Sequence, residues 1–219
     1  MKKIFIINGS PRKNFNTAKM CQSFSNGAKS LGVETEIIHL YDIDFKGCRS
    51  CFACKLKDGK NFSRCAYPDE LPSILDKIVQ SDGLVLASPI YSSDVTGVMR
   101  CFIERLCFPF FQYEDGYPST APKKLKTAII CTMNVNEELC NNMYSDLFNR
   151  LDFIIGQAFT KPVHLNACDT YQFPNYTKYA AGCFNIEHKI KQRDEQLPKD
   201  MQKAFELGVN MARQIMEDK

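Results

Sequence analysis

Two stretches carry residues whose types and spacing can do chemistry. CRSCFACKLKDGKNFSRC, from Cys48 to Cys65, holds four cysteines in the pattern C-x2-C-x2-C-x10-C. Clustered thiolates are what zinc and iron–sulfur centres need. C-x2-C-x2-C is tight enough to give three ligands to one cubane cluster, with a fourth from further along. The same cysteines also read as free or redox-active thiols, since the neighbouring Arg49, Lys55 and Lys57 favour a thiolate. Structural zinc is a third reading, although zinc sites favour two C-x-x-C-like pairs over this run.

The second stretch is NGSPRKNFNTA, from Asn8 to Ala18. It contains neither G-x-G-x-x-G nor G-K-[ST]. Ser10, Arg12, Asn16 and Thr17 instead lead directly into a helix start. Hydroxyls, an amide, a guanidinium and free backbone N–H groups converge there, which suits a terminal phosphate. Ordinary turn and capping chemistry would use several of the same residues. A further loop, SPIYSSDVTGVMRCFIERL (Ser88 to Leu106), follows a strand end. Pro89 and Tyr91 offer a flat surface, and Ser92, Ser93 and backbone amides can bond a polar ring edge. The two loops together point to a flat heterocycle carrying a phosphate.

The elements that must position these loops follow from apolar periodicity. KIFIIN (Lys3 to Asn8) reads as a buried parallel strand. A helix is expected from Asn16 to Gly32, then a strand over Val33 to Leu40, giving a β–turn–α–β unit. The alternation continues with a helix over Asp69 to Gln80 and a strand over Gly83 to Ser88, ended by Pro89. A helix over Val95 to Leu106, a strand over Thr127 to Thr132 and a long helix over Glu137 to Gly156 come next. A weaker strand over Lys161 to Asn166 precedes a closing helix over Pro198 to Glu217, with Met201, Ala204, Phe205, Gly208, Met211, Ala212 and Ile215 on its inner stripe. Such alternation implies an open parallel sheet with helices on both faces, whose ligands bind at the carboxyl ends of the strands. Two segments fall outside the alternation: the cysteine loop (about 45–68) and the polar, aromatic Cys168 to Leu197. Loops this long are usually functional or interaction elements. The aromatic segment around Tyr171, Phe173, Tyr176 and Tyr179 reads as an arm on a neighbouring subunit, a lid, or a tail packed on its own domain.

In this order, NGSPRKNFNTA, the cysteine loop and ASPIYSSDVTGVMRCFIER resemble the flavodoxin-like NAD(P)H-dependent FMN reductases, in the branch that includes the iron–sulfur flavoproteins. The resemblance covers almost the whole chain, the TYQFPNYTKY tail included. It implies a flavodoxin-like three-layer sandwich with a five-stranded parallel sheet of order 2-1-3-4-5. It also implies an FMN phosphate on Ser10, Arg12, Asn16 and Thr17, with the isoalloxazine against Pro89, Ile90, Tyr91 and Ser92. Thr132, Met133 and Asn134, after the fourth strand, would approach the ring's far side. Phe15 departs from the small residue that related loops commonly carry. In the iron–sulfur branch, Cys48, Cys51, Cys54 and Cys65 correspond to the ligands of a [4Fe–4S] cluster, although the last gap is longer here. Many relatives keep such a loop without a cluster.

The resemblance implies electron transfer from NAD(P)H through FMN to a small-molecule or protein acceptor, with no catalytic side chain. The alternative is an iron–sulfur electron carrier fed by ferredoxin, and a third reading is a non-redox binder of a phosphate ligand. A homodimer or homotetramer is expected from the same source.

Composition sets outer limits. The chain has 219 residues, which fits one domain, and 28 basic against 25 acidic residues leave a net charge of +3. That balance gives no case for nucleic acid or an anionic membrane. The apolar run Ile4 to Ile7 is too short for a signal peptide, and no stretch nears the ~20 apolar residues of a membrane span. Eleven cysteines, an odd number scattered through apolar runs, suit a reducing cytoplasm. His39, His164 and His188 are isolated and read as packing or surface groups.

Overall fold

A computed structural model describes residues 1–218, and Lys219, the last residue of the expected chain-long domain, lies outside the described residues. The apolar hexapeptide forms β1 (Lys3–Asn8), and β2 (Glu34–His39), β3 (Gly83–Tyr91), β5 (Lys126–Thr132) and β6 (Val163–Ala167) run parallel to it. The sheet order is β2-β1-β3-β5-β6, and a two-residue strand, β4 (Asp94–Val95), pairs antiparallel with the end of β3. Counting only the parallel strands, this is the expected 2-1-3-4-5.

β1 is apolar without alternation because both of its faces are covered. Ile4 and Ile6 face α1 (Asn16–Ser30) and α6 (Leu197–Glu217), in a core with Met20, Phe24, Met211 and Ile215. Phe5 and Ile7 face the opposite core, shared with α2 (Leu71–Ile78), α3 (Gly97–Cys107) and α4 (Glu137–Ala158). The contact between α1 and α6 depends on two glycines. A Cβ on Gly27 would lie 2.0 Å from the Phe205 carbonyl oxygen, and one on Gly208 would lie 2.2 Å from that of Phe24. The two backbones touch, so no side chain fits at either position.

Three expectations are corrected. The third strand does not stop at Pro89 but continues to Tyr91. Ala87 faces β1, accepting Gly9 N–H at 2.8 Å, and Pro89 faces the same side, past the end of β1, where no ladder bond is missed. The helix expected from Val95 begins at Gly97, because Asp94 and Val95 belong to β4. The segment Cys168 to Leu197 is not wholly irregular. It contains α5 (Ile186–Lys191), capped by Asn185, and a π-helical turn (Gln192–Gln196) that leads into α6. Six residues of helix inside a polar stretch leave too few apolar positions to show a period.

Candidate functional site

The phosphate-type loop is built by short polar turns. Asn8 Oδ1 accepts the Ser10 N–H at 2.9 Å, and Ser10 Oγ accepts the Arg12 N–H at 3.1 Å. These side-chain turns bend the chain from β1 into α1. Phe15 sits at the N-cap of α1 but has no side chain able to cap it, and the first turn holds no acidic residue. The first amides of α1 therefore keep unmet donor capacity and the positive end of the helix dipole. By contrast, Thr96 caps α3 and Asn136 caps α4. Phe15 lies under the Arg12 guanidinium, with 3.3 Å from Cζ to the ring centroid.

The neighbouring loops close around this turn. Thr17 Oγ1 and Thr132 Oγ1 are 2.8 Å apart, joining the start of α1 to the end of β5. Thr96 Oγ1 donates to the Gly9 carbonyl at 2.8 Å, and Ser88 Oγ accepts the Thr96 N–H at 3.0 Å. At the tip of β3, Ser92 and Ser93 take φ of 48° and 64° in a two-residue hairpin between Tyr91 and Asp94. Two left-handed residues match the twist of the paired strands, at the cost of strain in side chains larger than glycine.

One cavity, of about 120 Å³, brings these loops together. Ser10, Arg12, Asn16, Thr17, Pro89, Ile90, Tyr91, Thr132, Met133 and Asn134 all line it. Ser92 does not reach its wall and instead holds the hairpin turn. Phe15, Thr170, Tyr171 and Gln172 line it too; Tyr171 accords with the lid reading of the aromatic segment, while Thr170 and Gln172 carried no signal in the sequence. Thr170, Tyr171 and Gln172 come from the C-terminal arm. Arg12 Nη1 donates to the Gln172 carbonyl at 2.7 Å, and Asn16 Nδ2 donates to that of Tyr171 at 2.8 Å. Phe15, Tyr171, Phe173, Tyr176 and Phe184 pack as one aromatic cluster, so the arm lies on its own chain. The aromatic spacing flagged the arm, but no sequence signal tied it to the loop from Asn8.

The donor set fits a flavin phosphate in kind: an uncapped helix start, two hydroxyls, an amide and a guanidinium around one cavity. The enclosed volume suits the phosphate end rather than a whole cofactor, for which pockets typically exceed about 300 Å³. Size alone does not pick the functional site. A cleft of about 420 Å³ lies between the cysteine loop, α2 and the end of α3, towards the opposite edge of the sheet. Leu75, Val79, Leu106 and Phe110 give it mainly apolar walls.

The four cysteines of the loop also share a cavity, of about 20 Å³, with Arg49, Tyr67, Arg105 and Phe108. Cys48 and Cys51 are exposed, Cys65 is half-buried and Cys54 is buried. Burial pushes the Cys54 thiol up, and Lys55 beside it acts in the opposite sense. Among the described residues, no three cysteine, histidine or acidic side chains converge tightly enough to hold a metal ion. The thiols suit an iron–sulfur cluster in kind and number, and all four line that one cavity. The loop is fastened from below by Arg105, whose side chain is 1% exposed. Its Nη1 pairs with Asp69 and donates to the Lys46 carbonyl, and its Nε donates to Cys65 Sγ at 3.2 Å.

Residues 2–132 match the model of the family described as NADPH-dependent FMN reductase. The chain belongs to that family. Among curated proteins, this family member is 37% identical over 103 residues to an iron–sulfur flavoprotein of Archaeoglobus fulgidus, covering 47% of this chain and 48% of that one. It is 31% identical over 141 residues to one of Clostridioides difficile, covering 58% and 61%. The chain thus spans about half the length of the curated relatives it first matches. Among solved structures it resembles an NAD(P)H:quinone oxidoreductase from Methanothermobacter marburgensis, with a TM-score of 0.70, 13% identity, and 96% of each chain covered. It also resembles an FMN-dependent NADH-azoreductase from Bacillus anthracis in complex with FMN, with a TM-score of 0.65, 15% identity, and 97% and 100% covered. At these identities the likeness is one of fold. No described helix is long and apolar enough to cross a membrane.

Proposed function

We propose that the protein is an FMN-dependent oxidoreductase that takes electrons from NAD(P)H and passes them to a small-molecule or protein acceptor. The observation that carries this reading is the single cavity at the sheet edge, where the loops after β1, β3 and β5 meet. Ser10, Arg12, Asn16 and Thr17 would hold the phosphate. Pro89, Ile90 and the half-exposed Tyr91 would lie along the ring, with Thr132 and Asn134 at its other side. When bound, the flavin supplies the hydride and electron chemistry. The chain's own residues bind it, orient it and shield one face from water. The family's name and the quinone and azo reductases of like fold support a nicotinamide donor and a small acceptor. Two cores on the two faces of one sheet favour a single domain, and a cytoplasmic homo-oligomer accords with the cysteine usage and the resemblance.

A second reading is an electron carrier with a [4Fe–4S] cluster on Cys48, Cys51, Cys54 and Cys65, fed by ferredoxin. The shared cysteine cavity and the names of the curated relatives favour it. The test is anaerobic purification with flavin and iron assays, followed by addition of NADH, NADPH or reduced ferredoxin. Stoichiometric FMN bleached by a nicotinamide nucleotide supports the reductase. Bleaching by ferredoxin alone, with about four irons per chain, supports the carrier. Protein without FMN overturns both.

A further inference from the structure

The buried cation of the C-terminal arm has no place in the reading above. Lys189, on α5, is 3% exposed, and its ammonium lies beside the loop that follows β5. It donates to Asn134 Oδ1 at 2.6 Å and to the Asp169 carboxylate, with longer contacts to the carbonyls of Asn134 (3.4 Å) and Thr170 (3.5 Å). Burial alone would raise the Asp169 carboxyl, but hydrogen bonds from Lys189 and His188 outweigh it and hold the group below the usual range.

The backbone around this cation is laddered beyond the ends of the strands. Met133 N–H donates to the Ala167 carbonyl at 2.9 Å, Asp169 N–H to that of Val135 at 2.7 Å, and Thr170 N–H to that of Met133 at 2.9 Å. Asn134 is thus held at the tip of a zipped pair of loops, and it lines the flavin-type cavity. A lysine ammonium has donors and no acceptor. The Asn134 atom facing Lys189 must therefore be Oδ1, which settles an amide orientation that geometry alone leaves ambiguous. Nδ2 then faces away from Lys189, with no hydrogen-bond acceptor among the described residues.

We propose that Lys189 is a positioning residue for the flavin. It locks the Asn134 amide so that Nδ2 donates to an acceptor atom at the edge of the ring. This rests on the flavin reading above and deepens it, since electron density on the ring's acceptor atoms rises on reduction and a fixed donor favours the reduced form. It also gives the arm a task at the catalytic edge: α5 supplies the ammonium that ties the Asn134 side chain, in the loop after β5, to Asp169.

The test is a double-mutant cycle on FMN affinity, read by quenching of flavin fluorescence, with Lys189→Met, Asn134→Ala, the double variant and Lys189→Arg. Removing a charge-assisted bond is expected to raise the FMN dissociation constant on the order of tenfold. The double variant should bind as Asn134→Ala alone does, because both changes delete one pathway. Lys189→Arg should recover most of the affinity. The midpoint potential of bound FMN should fall in Lys189→Met and not in an exposed control such as Lys191→Met. Additive losses, or an unchanged potential, would overturn the proposal. A readout without flavin separates the two levels of the argument: hydrogen exchange at Met133, Asp169 and Thr170 should speed up in Lys189→Met. Unchanged exchange shows that Lys189 does not hold the loop. Faster exchange in a protein that never binds FMN refutes the flavin reading and, with it, the role toward the ring.

Discussion

Arg105 and Lys189 are both buried cations that fasten an irregular segment to the sheet, but they differ in how fully they are satisfied. Lys189 has three N–H donors and finds an amide oxygen, a carboxylate and a carbonyl. Arg105 bonds Asp69, the Lys46 carbonyl and Cys65 Sγ, yet its Nη2 is buried with no partner among the described residues. A buried donor left unmet costs about 1–3 kcal/mol. The Lys189 ammonium at the flavin edge is therefore satisfied. The cysteine loop is held in an arrangement with hydrogen-bonding capacity to spare, directly beside its thiols. Rigid positioning belongs to the first region and rearrangement to the second.

The largest expected effect breaks the less satisfied site. Arg105→Met strands Asp69, which is largely buried, and should lower unfolding stability by about 3–5 kcal/mol in urea titration. Arg105→Lys should recover part of it, since the charge returns without the fork. Lys189→Met should cost less, about 1–3 kcal/mol, because Asp169 keeps His188 at 2.5 Å and is partly open to solvent. If the Lys189 variant proved the more damaging, the contrast between the two regions would be wrong.

Acid should act on both sites in the same direction. Asp69 and Asp169 are each raised by burial but lowered further by their cationic partners, so both end below the usual carboxylate range. A depressed folded-state value means stability that is fully present above the unfolded value near 3.9. It is lost as pH falls through the lower folded values. Thermal unfolding between pH 5 and pH 2, taken as about that window, should be flatter in Asp169→Asn. Asp200 supplies the opposite sign. Burial raises its carboxyl by more than Gln196 at 2.9 Å, Lys203 at 3.9 Å and the nearby Lys199 lower it. Its contribution falls as pH rises from about 3.9 through its higher folded value, so Asp200→Asn should raise stability at neutral pH by about 1 kcal/mol. A loss there would contradict the burial argument.

The smallest effect concerns the thiols. Cys48, Cys51 and Cys183 should label first with a bulky maleimide in the native protein, and Cys54 should label slowly. Four slow cysteines in protein carrying about four irons would show that the loop closes around a cluster.

The sequence made the sheet legible because each strand is short, apolar and bounded by a turn or helix signal. The cavity was legible because turn chemistry, a guanidinium and a helix start sit within eleven residues, Asn8 to Ala18. The carbonyl contacts of Tyr171 and Gln172 to the first loop were not, because backbone carbonyls carry no side-chain signature and pair over 155 and 160 positions. Lys189 was hidden in the same way: a lysine in a polar stretch reads as solvated until the fold buries it. Pro89 misled because its meaning depends on which neighbour strand has already ended.

The central claim is that the cavity at the sheet edge holds the phosphate of FMN. The most direct test compares FMN with riboflavin, which lacks the phosphate, in wild type and Arg12→Ala. Wild type is expected to prefer FMN, and Arg12→Ala to weaken FMN about 10–100-fold while leaving riboflavin unchanged. Equal affinity for the two flavins in wild type, or equal loss of both in the variant, would contradict it.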